Sequence, residues 1–153
     1  MRKIVVSNAF LEEVAILLAE GRSVRVRIDG QSMFPFIIGG QDEVELVPYE
    51  QGSVLPLWCV AFFKWHGTYI VHRFIGKQDA LYCMMGDGNL AQVEHVEEKD
   101  ILGVLQFIYH PDGTLQDCRD SRWMMKGKNW YKLRRFRRYL LYFHRICMRF
   151  HRK

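Results

Sequence analysis

Three side chains of this 153-residue chain have the types and the order that acyl transfer needs: Ser32, His72 and Asp87. A serine hydroxyl is a weak nucleophile at neutral pH and requires a nearby base to take its proton as it attacks a carbonyl. An imidazole titrates near neutrality without special tuning, so His72 suits that role. A carboxylate on the other ring nitrogen steadies the imidazolium that forms, and Asp87 is the candidate for it. Each residue also has a plainer reading. Ser32 lies in Gly30-Gln31-Ser32-Met33-Phe34-Pro35, which is ordinary turn material. His72 follows the apolar run Tyr69-Ile70-Val71 and would serve as a hydrogen-bonded core residue, while Gly86-Asp87-Gly88-Asn89 makes a good β-turn. It is the ordered set that favours chemistry over packing.

Gly30 before the serine, Met33 after it and Pro35 three residues on resemble the nucleophile segment of the signal peptidase and LexA-like serine peptidases. In that clan the base is usually Lys in bacterial signal peptidases and LexA-like proteins, and His in archaeal and eukaryotic-type signal peptidases. His72-Arg73 is similar to the second branch. The likeness runs from about Val24 to Leu105 and implies a Ser32–His72 dyad acting without metal or cofactor. It also implies an oxyanion site at the amide of Ser32, with help from Gly30 and Gln31. Met33 and Pro35 are read as structural, the methionine packing beneath the turn and the proline restricting its backbone. The eukaryotic-type pattern continues as Gly-Asp-Asn-Asn with further acids a few residues later. This chain keeps Gly86, Asp87 and Asn89, has Gly88 in place of an Asn, carries Gln92 and Val93 where the later acids fall, and has Glu94 displaced. The implied substrate is an extended peptide or leader segment, such as a small precursor, laid beside a strand. The single upstream candidate for self-cleavage, Glu20-Gly21, would end a helix, which argues against a self-cleaving repressor.

The elements that must hold these residues follow from periodicity. Phe10, Leu11, Val14, Leu17 and Leu18 share one helix face, with Ser7 or Asn8 as N-cap and Gly21 as the stop. Val24, Val26 and Ile28 alternate with Arg25, Arg27 and Asp29 as a half-buried strand, so that Ser32 leaves the strand on a turn. Further β-rich runs cover Glu43 to Val47, Trp58 to Trp65, Thr68 to Ile75, Leu81 to Met85 and Ile101 to Tyr109. His66-Gly67 predicts a tight hairpin delivering His72 on its return strand, facing the same way as Ile70 and Phe74. The expected fold is mainly β: a coiled antiparallel sheet or partly open barrel of the signal-peptidase type, with an N-terminal helix and a basic amphipathic C-terminal helix. The domain reading is a peptidase-like unit over 1–121 and a basic tail over 122–153.

The net charge of +5 conceals a division. Residues 1–121 hold all 17 acids and ten Lys/Arg, a net of −7, whereas residues 122–153 hold 12 Lys/Arg and no acid. From Trp130, the residues Leu133, Phe136, Leu140, Phe143, Cys147 and Phe150 recur at helical spacing among the arginines. Such a helix docks its stripe on the domain or meets an anionic membrane surface. Nucleic acid is disfavoured because no recognition module accompanies the charge. The four cysteines have neither zinc-site nor disulfide-framework spacing and read as reduced thiols. Neither a signal peptide nor an apolar run of spanning length is expected, which points to a cytoplasmic protein or one peripheral to the inner face of the membrane. The rivals to a peptidase are a peptide-binding module without catalysis and a nucleic-acid-associated regulator on the same fold.

Overall fold

Twelve residues, Asn8–Ala19, form helix α1, which turns Val14, Ala15 and Leu18 into the core in the computed structural model, where residues 8–151 are described. Gly21, at φ 82°, ends the helix: its N–H donates to Leu18 O and that of Arg22 to Leu17 O, the paired bonds of a Schellman stop. Asn8 is the first helical residue and donates from its side chain to Gly67 O; Ser7, the other expected cap, lies outside the described residues.

Among the described residues eight strands make one antiparallel, half-barrel sheet: β1 (Val24–Arg27), β2 (Glu43–Pro48), β3 (Val60–Trp65), β4 (Thr68–Gln78), β5 (Leu81–Met85), β6 (Glu94–Val96), β7 (Ile101–Tyr109) and β8 (Leu115–Asp117). Their order is β1-β2-β7-β3-β4-β5-β6, with β8 beside β7. The mainly β architecture with terminal helices is therefore the one expected. His66 and Gly67, both at positive φ, form the two-residue turn between β3 and β4, and Ala61 pairs with His72 across the hairpin. The run expected from Trp58 begins instead at Val60. Trp58 has φ 75° and turns its N–H to Phe74 O and its carbonyl to Arg73, which takes it out of the strand.

Both faces of the sheet are covered. One carries Val26, Val44, Leu46, Phe62, Leu105 and Ile108 beneath α1 and Trp123. The other encloses Ala61, Phe63, Phe74, Tyr82, Met84 and Ile101 as a half-barrel interior. Adjacent residues of β3 and β4 thus feed different cores, as the two-residue side-chain period requires.

The C-terminal segment is two helices joined by a short 3-10 turn rather than one helix from Trp130. They are α2 (Ser121–Lys132), capped by Asp120 Oδ1 on the Arg122 N–H, and α3 (Arg137–Phe150). The segment packs directly on the sheet domain. Trp123 joins the first core, and Trp130 and Leu141 form a small cluster with Phe34. No helix among the described residues is long and apolar enough to cross a membrane.

Candidate active site

Ser32 sits on the loop between β1 and β2, whose ends are tied by the Gly40 N–H to Ile28 O and whose base is tied by Asp42, which accepts from the Ile38 N–H at 2.7 Å. Met33, Phe34 and Ile37 anchor this loop in the interior while Gly30, Gln31 and Ser32 remain exposed. Burial of Met33 beneath the turn is as expected. Gly30 is at φ 94° and Gly39 packs against its carbonyl, so both positions require glycine. The Gly88 N–H donates to Ser32 O at 2.8 Å, fixing the serine loop to the Gly86–Asn89 turn. A Cβ on Gly88 would strike Gln31 O, which keeps the two backbones in direct apposition.

His72 lies on β4 with 4% of its surface exposed, its ring edge-on to Phe63 on the face expected. Nδ1 is 2.8 Å from Glu94 Oε2. Glu94 is fully buried on β6, opposite Met84, and its Oε1 accepts from Gln92 Nε2 at 3.1 Å. A carboxylate can only accept, so Nδ1–H donates to it and the lone pair of neutral His72 is left on Nε2. That atom faces Gly86: a Cβ added there would lie 2.9 Å from Nε2, 2.8 Å from Asn89 Nδ2 and 2.5 Å from Ser32 O. Gly86 therefore brings His72 and the serine loop together at a distance no side chain would permit. Ser32, His72, Glu94, Gln92 and Asn89 line one cavity of about 280 Å³, with Val26 and Phe62 on its apolar wall.

Asp87, the expected partner of His72, belongs elsewhere. Its carboxylate accepts from Arg73 Nε at 2.8 Å and Nη2 at 2.7 Å, and its carbonyl from Trp130 Nε1 at 2.7 Å. Arg73 follows His72 on β4 and so points through the opposite face, where it is 1% exposed between the rings of Phe36 and Trp123. A buried guanidinium demands a paired carboxylate, and Asp87, 2% exposed, supplies it. Glu94 takes the place beside His72. One signal in the sequence pointed there: Glu94 is the one acid between Asp87 and Glu97.

The second turn of the site is held from outside by the C-terminal helices. Arg137 Nη1 donates to the carbonyls of Gly86 at 3.2 Å and Asn89 at 2.8 Å. Burial pulls its guanidinium below the ordinary range while the Asp87 charge acts to hold it up. Among the described residues, no group of three His, Cys, Asp or Glu side chains is placed to hold a metal ion. No family model and no curated protein sequence matches the chain.

Proposed function

We propose that the protein is a serine endopeptidase of the signal-peptidase type, with Glu94 rather than Asp87 as the third member of its site. The observation that carries the reading is the buried His72–Glu94 hydrogen bond at the back of the cavity that Ser32 lines. Glu94 fixes the tautomer with its free lone pair on Nε2 and stabilises the imidazolium. As Ser32 Oγ attacks a peptide carbonyl, its proton passes to Nε2. The tetrahedral intermediate collapses to an ester on Ser32 when that proton is given to the leaving amine. Water, deprotonated by the same Nε2, then hydrolyses the ester and restores the serine hydroxyl. Developing negative charge on the carbonyl oxygen falls to the amide of Ser32 and the adjoining Gly30-Gln31 segment.

The substrate of this reading is an extended peptide or the leader segment of a precursor. β1 is the end strand of the sheet, with β2 as its neighbour, and it runs into the Ser32 loop; an extended chain added to its other edge would pass the nucleophile. All four cysteines are free thiols, which suits a reducing compartment and the cytoplasm as the place of action.

The test is cleavage of a peptide library read by mass spectrometry, with labelling by a fluorophosphonate probe alongside. Wild-type protein should cleave and take up one probe at Ser32, and Ser32→Ala should do neither while keeping its thermal midpoint. Folded wild type with no Ser32-dependent turnover would refute a peptidase and leave a peptide-binding module on the same groove.

A further inference from the structure

Helix α3 carries three stripes, and the domain uses one. Arg137, Leu141, His144 and Met148, at spacings of four, three and four, face the domain: Arg137 and Leu141 are buried, His144 meets the edges of Phe34 and Trp130, and Met148 joins the Phe34 cluster. A second stripe begins at Phe136, the residue just before the helix, and continues with Tyr139, Phe143 and Phe150; these are 61–73% exposed. Arg138, Arg145 and Arg149 form a third, exposed stripe on the remaining side. Of the periodic apolar row in the sequence, Leu140 packs on the Phe34 cluster, but the row is centred about a quarter to a third of a turn from the docked face.

We infer that α3 lies on an anionic lipid bilayer, with the Phe136/Phe143/Phe150 stripe in the interfacial region and its arginines on the lipid headgroups. The chemistry favours lipid over other occupants. Four large rings on one side of a helix would otherwise be left in water. Tyr142, 65% exposed, sits on the polar side, where a phenol with one apolar and one wet end belongs. Residues 122–153 have 12 Lys/Arg and no acid, so the charge around the stripe complements phosphate-bearing headgroups. A second copy meeting the same face across a two-fold axis would set arginine stripe near arginine stripe, which repels. A docked helix with an outer apolar stripe and a basic flank is the arrangement of an interfacial helix, and it requires no spanning segment.

The test is flotation of the full-length protein with vesicles of phosphatidylcholine alone or of equal parts phosphatidylcholine and phosphatidylglycerol. Wild type should float with the anionic vesicles only and be released by half-molar salt. Phe136→Gln/Phe143→Gln/Phe150→Gln and Arg138→Gln/Arg145→Gln/Arg149→Gln should each weaken binding by about tenfold or more, with circular dichroism and thermal midpoint unchanged, because neither set touches the docked face. Folded wild type that stays at the bottom with anionic vesicles, or a phenylalanine variant that floats like wild type, would overturn the inference. So would a dimer that the phenylalanine variant dissociates without any lipid binding, which would assign the stripe to a second copy. Capture of a single-stranded oligonucleotide by protein that ignores vesicles would overturn it in favour of nucleic acid.

Discussion

Two carboxylates seven residues apart divide the work at this site. Glu94 meets His72 Nδ1, and Asp87 neutralises Arg73. Replacing each by its amide separates the roles. Glu94→Gln keeps the shape but can present an N–H to Nδ1, favouring the tautomer with its proton on Nε2, the atom that the proposed mechanism uses as base. It should lower kcat by about 10²–10⁴ with little change in KM, measured on a cleaved library peptide. Asp87→Asn leaves a buried guanidinium without its countercharge and should cost about 3–5 kcal/mol of stability, read from urea unfolding, with the molecules that remain folded still turning over. The ordered motifs singled out Ser32 and His72, which line one cavity, but the carboxylate that meets His72 is Glu94 and not the expected Asp87. Nearness along the chain favours Asp87, yet whether a turn residue reaches the imidazole or its neighbour depends on which face of β4 the turn closes over. No local pattern encodes that.

At the scale of elements, α2 shows how a local preference yields to a close approach. Gly127 lies in mid-helix, where Gly is about 1 kcal/mol worse than Ala. A Cβ there would fall 2.5 Å from Arg73 Cζ, so the helix can rest on the guanidinium only through a glycine. Gly127→Ala should therefore lose about 1–3 kcal/mol in urea unfolding, opposite in sign to the same change at an open helical site. The principal strands were legible because their alternation, the His66-Gly67 turn and the Gly21 stop are local signals with local causes. β6, with three residues, is too short to show a period, and it carries Glu94. The tail periodicity revealed a stripe at helical spacing, but burial is decided by what the helix meets. Trp130, Arg137 and Leu141 dock because the Gly86–Asn89 turn offers them carbonyls and Phe34 offers them a ring.

For the molecule as a whole, interior thiols set a limit at high pH. Burial pushes Cys59 and Cys118 up from an ordinary 9.0 to about 12, with the Arg73 charge opposing the rise at both. The unfolded chain deprotonates at the ordinary value while the folded one holds its protons. Stability from this source is thus complete below pH 9.0 and drains away as pH climbs toward about 12. The midpoint of urea unfolding should fall between about pH 8 and about pH 10.5, and Cys59→Ala/Cys118→Ala should flatten that fall.

On β4 the imidazole and the guanidinium are consecutive residues that enter separate cores. Slippage of this strand by a single residue would send each to the other's face, setting Arg73 toward Phe63 and Met84 and His72 toward the Phe36 and Trp123 rings, and would turn Ile70 and Val71 into the wrong interiors. Alignment errors are thereby proofread by packing, since a misaligned chain loses its interior together with the His72–Glu94 pair. If the proposed peptidase reading holds, the burst amplitude of an active-site titration should equal the folded fraction.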